Sequence, residues 1–472
     1  MGNTMNTKNK LNQKMSNKFH DKKSKEVTTQ NSSKTVHIEV DKLNIDLHGV
    51  TIINDKPRLV KNSLPFELVE ATEEHIPGVG KVYKPVKILE PSEFRVQPIC
   101  KNFELCGNCN LLHMQYARQC KEKVIMLKKY LRNVSDVYID ECTSSKDTEW
   151  RNKTHLVFAK KGKRTVVGFV NEETHKVVEV TECKMHGEWF SRLVKKLVTW
   201  AQEYNIEPYI PEKHSGILRF AVARNIGDSL MLTIVSTIDI NEKLGVLYRA
   251  LQNDFKSISL YNNINNQKNS MVFSDKFVHV CGDKKLCGNM LGVEYSLGPN
   301  SFLQTNEYIT NKIYEKILDV INKSGCSTVV DLYSGIGITS ILFAKSGKNV
   351  ISIEYIKEAV EDAKALACKN GVAGKIKMYC GDCKDILPTI KGRNSVFFVD
   401  PPRKGLGYSV CNDIIKFSPK KIVYLSCNPE SLATDLGQFV RRGYVINSIS
   451  PYDMFPNTRH VETLVVLIRK HN

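Results

Sequence analysis

From about residue 300 to the end, short apolar runs and amphipathic stretches alternate without a break. "STVVDLYS" runs into "GIGITSILFAKSG", then "KNVISIEY" into "KEAVEDAKALACKNG". "KIKMYCGD", "NSVFFVDPP", "KKIVYLSCNP", "GYVINSISPYD" and "HVETLVVLIRK" follow. Strands that alternate with helices build βαβ units, and those pack as a parallel sheet covered on both faces. Residues 291–472 are therefore expected to form a doubly wound, Rossmann-like α/β domain. Such a sheet keeps its chemistry at the carboxyl ends of its strands.

The remainder obeys other rules. A chain of 472 residues divides into roughly three domains at about 150 residues each. Residues 37–95 alternate apolar and polar runs broken by Gly and Pro, as a small OB-type β-barrel does. Residues 96–290 mix helices such as "SRLVKKLVTWAQEY" with strands such as "SLMLTIVST", an α+β region carrying a cysteine cluster. Residues 1–36 hold eight lysines against Asp21 and Glu26 and read as a disordered basic tail. The net charge of +18 is only partly in that tail. A basic fold points to a polyanionic partner, most simply nucleic acid. No apolar stretch reaches the ~20 residues of a membrane span. With no apolar signal core at the N-terminus, a cytoplasmic protein with no membrane partner is expected.

In "DLYSGIGITS", Gly335 and Gly337 fall between a strand and a helix, where glycine lets a ligand approach the backbone. Glu354 ends the next strand, 19 residues beyond Gly335, where a carboxylate can bind both ribose hydroxyls. The third glycine of the dinucleotide fingerprint is absent, so a nucleoside without phosphate fits best, and S-adenosylmethionine is the common one. Asp382, ending the third strand, is a candidate for the adenine. In "FFVDPPRKGL", Asp400 emerges at a strand end onto a stiff Pro-Pro exit. Amino-group methylases carry an aromatic after the prolines; Arg403 stands there instead, which argues against amine chemistry.

Cys427 in "VYLSCNPESLATDL" sits where a buried strand gives way to an Asn-Pro stop and a helix start. That placement suits a nucleophile. Fourteen cysteines without an export signal do not imply disulfides. "CKNFELCGNC" spaces Cys100, Cys106 and Cys109 as C-x5-C-x2-C, with Cys183 as the best fourth ligand and Cys120 the second. Four thiolates permit zinc or an iron–sulfur cluster, and spacing does not separate them.

"SFLQTN", "DLYSGIG", "DPPRKG", "LSCNP" and "HVETL", in that order, resemble the bacterial RNA (uracil-5-)-methyltransferases, over nearly all of residues 300–472. The resemblance implies a class I methyltransferase domain in which Gln304, Tyr333, Glu354 and Asp400 contact S-adenosylmethionine. It implies Cys427 as nucleophile and Glu462 as base. The ribosomal branch of that family has a similar cysteine pattern, which implies a [4Fe-4S] cluster on Cys100, Cys106, Cys109 and Cys183. The barrel resembles a TRAM domain, and "EWRNKTHLVF" and "LRFAVARN" resemble the family's central domain, giving Arg151, Lys153 and Arg219 as candidate RNA contacts.

The chemistry explains why two such side chains are needed. Carbon 5 of uracil is too weak a nucleophile to take a methyl group unaided. A thiolate adding to carbon 6 makes it electron-rich, and a base then removes the carbon-5 proton so that the thiolate can leave. Arg403 and Arg459 are candidates to favour the thiolate. The expected substrate is 23S rRNA, with the uracil flipped out of any stack. The alternatives are a tRNA methyltransferase and a non-catalytic RNA-binding or ribosome assembly factor. A DNA methylase leaves the cysteine cluster without a role.

Overall fold

The computed structural model describes residues 35–76, 80–134, 136–171, 173–390 and 394–470. The expected basic tail lies outside these, except that Thr35 and Val36 already open the first strand.

The N-terminal unit is a six-stranded sheet of β1 (Thr35–Glu39), β2 (Lys42–Leu43), β3 (Gly49–Ile53), β4 (Lys56–Val60), β5 (Leu68–Ile76) and β6 (Gly80–Glu90). Its order is β1-β5-β6-β4-β3-β2, antiparallel except for the β4–β6 pair. One face buries Ile38, Val40, Val60, Val69, Ala71 and Tyr83 as a small core. The sequence alternation places those residues on one side of each strand.

A mixed seven-stranded sheet follows: β7 (Lys153–Lys161), β8 (Arg164–Val170), β9 (Val177–Glu179), β10 (Leu218–Ile226), β11 (Ser229–Ser236), β12 (Ser257–Ile264) and β13 (Phe277–Gly282), ordered β13-β12-β11-β10-β7-β8-β9. Before it lie α1 (Phe103–Cys106) and α2 (Tyr116–Leu131), and within it α3 (Glu188–Glu203) and α4 (Asn241–Leu251). The apolar stripe of α3, including Phe190, Leu193, Leu197 and Trp200, lies against this sheet.

The third unit has β16 (Thr328–Leu332), β17 (Asn349–Glu354), β18 (Ile376–Cys380), β19 (Ser395–Val399), β20 (Lys421–Ser426), β21 (Tyr444–Tyr452) and β22 (Glu462–Arg469), preceded by a hairpin of β14 (Leu286–Met290) and β15 (Val293–Leu297). The sheet order is β18-β17-β16-β19-β20-β22-β21. The first five strands are parallel and β22 is antiparallel to both neighbours. Helices α5 (Glu307–Asn322), α6 (Ile338–Lys345), α7 (Lys357–Lys369), α8 (Cys383–Ile386), α9 (Gly407–Phe417) and α10 (Pro429–Arg441) complete it. Adjacent strand residues go to opposite cores. Val329, Phe398 and Leu425 join Ile313 and Ile317 of α5, whereas Val330, Phe397 and Tyr424 join Ile414 and Leu432. Burial on both faces is why these strands read as unbroken apolar runs.

Two limits expected from sequence need correction. The boundary after residue 290 falls inside the β14–β15 hairpin, whose Leu286, Met290, Val293 and Tyr295 belong to the core of the third unit. Helix α2 does not pack on the central sheet. Leu127 and Leu131 join the third unit's core, and Lys123 Nζ lies 2.5 Å from Asp453 Oδ1, both fully buried. Short local apolar patterns say that a helix forms but not which core receives it. No helix among the described residues is long and apolar enough to cross a membrane.

Candidate active site

Strand β16 ends in a turn that brings two sequence-distant groups together. The Gly335 N–H donates to Glu354 Oε2 at 2.9 Å, and Glu354 Oε1 accepts from Ile356 N–H at 2.8 Å. Glu354 is thus fixed at the strand end beside the glycine turn. Gly335 and Gly337 have φ of 55° and 81°, which glycine adopts without penalty. Tyr333 has φ of 63°, a left-handed backbone for a bulky residue. Such strain persists where the surroundings over-determine it, commonly at ligand sites. Behind the turn, Asp331 is fully buried and accepts from Thr339 Oγ1 at 2.8 Å and Ser340 Oγ at 2.5 Å. Burial outweighs those two bonds and pushes its carboxyl up to about 7.

Gln304 lies on the segment before α5. Asn306 holds that segment: it is buried, caps α5 by accepting from Ile309 N–H, and donates to Met454 O at 3.1 Å. Arg224 also donates to Leu303 O at 3.2 Å. Asp382 begins α8, its side chain accepting from Lys384 N–H at 3.1 Å, so one oxygen is spent on capping.

Cys427 and Glu462 are brought together by register. Ser426 of β20 pairs with Thr463 of β22. Cys427 is the residue that follows this last pair on β20 and Glu462 the one that precedes it on β22, so both stand at the end of the ladder, and the Glu462 carboxylate acts on the Cys427 thiol. Asn428 ends β20. Its side chain accepts from Glu430 N–H to cap α10, and its Nδ2 donates to Arg403 O at 2.9 Å. The Asp400–Gly405 turn is thereby drawn to the cysteine.

The electrostatics couple the same groups. Burial, then the Glu462 and Asp400 carboxylates, push the Cys427 thiol up to about 11, against the opposing pull of Arg403. Glu462, only 2% exposed, is raised well above the ordinary carboxyl range by burial and by Asp400. Asp400 is raised to about 7 by burial and by Asp331. Two raised carboxyls and a raised thiol at the carboxyl end of one sheet are a functional-site signature.

Other candidates are redistributed. Arg459 Nη1 lies 3.3 Å from His48 Nε2 of the N-terminal unit. Arg219 is no exposed contact: it is buried and donates to the carbonyls of Asn265, Gln267 and Asn269. Arg151 is half-buried, and Lys153 is depressed to about 8 by burial and by Arg224 and Arg151. A basic residue on a strand carries no sequence mark of which face it takes.

Cys100, Cys106, Cys109 and Cys183 line one cavity with Arg151, walled by Phe103, Leu112, Phe169 and Met185. Burial raises the thiols of Cys106 and Cys109, and that of Cys183 to about 11. Among the described residues no three His, Cys, Asp or Glu side chains are grouped to hold a single metal ion. Cys120 is elsewhere, on α2 beside Cys142 and Asp453. Four soft donors around one apolar-walled space suit a thiophilic centre.

Sequence reading missed the clasp that leads into Glu462. Asn457, with φ of 65°, exchanges bonds with Gln119 of α2: its N–H donates to Gln119 Oε1 and its Oδ1 accepts from Gln119 Nε2, both at 3.0 Å. The only signal was an Asn-Thr pair in a loop.

A seven-stranded sheet with one reversed strand, and a glycine turn after its first strand, is the framework of class I methyltransferases. The profile of the family described as tRNA (Uracil-5-)-methyltransferase matches residues 115–380 and 384–470. The chain belongs to that family. It is 30% identical to an uncharacterized RNA methyltransferase of Halalkalibacterium halodurans over 95% of this chain and 100% of that one. It is 32% identical to one of Caldanaerobacter subterraneus subsp. tengcongensis, over 92% and 97%. Among solved structures, the Pyrococcus abyssi tRNA (uracil-54, C5)-methyltransferase in complex with S-adenosyl-L-homocysteine superposes with a TM-score of 0.76. That match is 26% identical and covers 92% of this chain and 99% of that one.

Proposed function

We propose that this protein transfers a methyl group from S-adenosylmethionine to carbon 5 of uridine in RNA through a covalent Cys427 adduct. The observation that carries the reading is the meeting of Cys427, Glu462 and Asp400 at the end of the β20–β22 ladder, where each carboxylate acts on the thiol. Gln304, Tyr333, Gly335, Glu354 and Asp400 hold the donor, Glu354 taking the ribose hydroxyls and Asp400 facing the sulfonium end. Asp382, committed to its cap, reaches the adenine with its other oxygen. Cys427 gives its proton to solvent water and its sulfur bonds to carbon 6. The electron pair moves to carbon 5, which bonds the methyl carbon as the carbon–sulfur bond of the donor breaks. Glu462 takes the proton from carbon 5, the pair returns to the ring, and the thiolate leaves. A carboxylate of raised pKa is the stronger base for that last step.

We assign 23S rRNA as the substrate, on the cysteine set Cys100, Cys106, Cys109 and Cys183. These residues would hold a [4Fe-4S] cluster, which supplies four metal–sulfur bonds tying the α1 segment to Cys183. The N-terminal sheet acts as a TRAM-type RNA-binding module. A second reading, tRNA, is favoured by the likeness to the Pyrococcus abyssi tRNA (uracil-54, C5)-methyltransferase. Mapping 5-methyluridine in 23S rRNA and tRNA from a deletion strain decides between them: loss from tRNA alone refutes the ribosomal assignment. RNA containing 5-fluorouridine should trap a covalent complex that migrates slowly on a denaturing gel. A Cys427→Ala protein that still forms that complex would refute the mechanism. Protein purified without oxygen should be brown, and a colourless zinc protein would refute the cluster.

A further inference from the structure

A groove of about 580 Å³ runs between the 403–408 turn and one face of α10, beginning beside Cys427. Arg403 and Asn428 belong to its wall, and Asn428 directly follows Cys427 in the chain. Asn428 donates from Nδ2 to Arg403 O at 2.9 Å, so this wall is fastened to the strand end that carries the sulfur. Arg403 also acts on the Cys427 thiol. Glu430, Thr434, Gln438 and Arg441 line the other side at helical spacing, so the groove follows α10 for about 16 Å. It is continuous with the proposed active site.

The exposed charge along the groove is unbalanced. Arg403, Lys404 and Arg441 are exposed, and none makes an ion pair or a side-chain hydrogen bond among the described residues. Other surface cations are paired, as Lys160 is with Glu207 and Lys285 with Asp362. Of the two acids in the wall, Asp435 is buried and already used. Its Oδ2 accepts from Leu406 N–H and from the Tyr424 hydroxyl, both at 2.7 Å. Glu430 is left as the one exposed carboxylate against three cations. Four residues beyond Lys404, Tyr408 is 71% exposed, and its hydroxyl has no partner among the described residues.

Unpaired cations select an anion, and cations spread along a helix select a polyanion over a single phosphate. An exposed ring among such cations is the pattern of a single-strand surface, where bases stack on aromatics and phosphates meet Lys and Arg. Continuity with Cys427 says which part of the polyanion lies here. We propose that this groove holds the single-stranded RNA adjoining the flipped uridine, with phosphates at Lys404 and Arg441 and a neighbouring base stacked on Tyr408. This rests on the RNA reading above and adds to it a strand contact away from the N-terminal sheet. Stacking tolerates any base, so the groove fixes where the strand runs and leaves its sequence free.

Fluorescein-labelled oligouridylate is the probe, titrated onto full-length protein with saturating S-adenosyl-L-homocysteine at several salt concentrations. Each phosphate contact on a single strand contributes about 0.7 to the slope of log affinity against log salt. Combining Lys404→Ala with Arg441→Ala should therefore make that slope shallower by about 1.4. Lys323→Ala, whose ammonium pairs with Asp319 outside the groove, should leave it unchanged. Tyr408→Ala should weaken binding about tenfold, the loss of one base–aromatic stack, while Tyr408→Phe binds as the wild type does. An unchanged slope in the double variant, an equal change in Lys323→Ala, or full affinity in Tyr408→Ala would each overturn the proposal. So would a polyglutamate peptide that displaces the RNA at equal concentration, since the groove would then be a site for acidic protein. The methyl-transfer reading fails separately, if 5-fluorouridine RNA forms no covalent complex at Cys427, and the salt slopes would still decide the groove.

Discussion

Replacing Arg403 by Met removes the one cation among the groups that set the Cys427 thiol. In the free protein that thiol is pushed up to about 11, with burial the largest cause and Glu462 and Asp400 next. At pH 7.5 the thiolate is then about 3 in 10⁴ of the protein, and each rise of one pH unit multiplies it by about ten. An opposite charge nearby typically moves a titration by about 1–3 units. Cys427 is half-buried, so the lower end applies. Arg403→Met should leave about tenfold less thiolate at any pH below the titration. The assay is alkylation by iodoacetamide between pH 6.5 and 10, with the Cys427 peptide quantified by mass spectrometry. Wild-type modification should climb log-linearly across that range, and the variant curve should lie about one unit higher. A wild-type curve that levels off below pH 8, or two superimposable curves, would refute the view that burial and two carboxylates hold this sulfur protonated.

Three further outcomes are expected. Glu462→Gln should accumulate a methylated covalent RNA complex on a denaturing gel, because nothing removes the carbon-5 proton; free product at the wild-type rate would clear Glu462 of its role. Asp400, raised to about 7, is neutral below that pH and charged above it. Affinity for the cationic donor should therefore rise as pH passes from 6 to 8, while that for neutral S-adenosyl-L-homocysteine stays flatter, and parallel calorimetric curves would contradict the placement of Asp400 at the sulfonium. Lys123→Ala should cost about 3–5 kcal/mol in urea unfolding by leaving Asp453 buried and unpaired, and the Lys123→Met/Asp453→Leu pair should recover most of it; a single variant of wild-type stability would remove this contact from the fold's framework.

How much was legible in the sequence depended on how local each signal was. The 3.6- and 2-residue periodicities after residue 300 are properties of contiguous residues, and they translated into the observed strand–helix alternation. Gly335 and Glu354, 19 residues apart, could be paired because the βαβ unit always returns its second strand beside its first. Cys427 was legible because Asn428-Pro429 marks a strand end in the chain itself. Arg219 and Arg459 were not: each is one basic residue among many, and their partners, the 265–269 carbonyls and His48, come from other elements. The destination of α2 was hidden for the same reason. Its amphipathic pattern is satisfied by any apolar surface, and the buried Lys123–Asp453 contact, with the Gln119–Asn457 bonds, ties it to the third unit.

Composition and order of residues alone determined that this chain has a parallel sheet, a glycine turn after its first strand and a cysteine at a strand end. Only tertiary structure decided that an antiparallel last strand brings Glu462 to the end of the sheet beside that cysteine, and that three carboxylic groups and a thiol share one field. The division has a physical cause. Backbone periodicity is dictated by nearest neighbours along the chain, whereas pKa values and cavities depend on which distant surfaces meet.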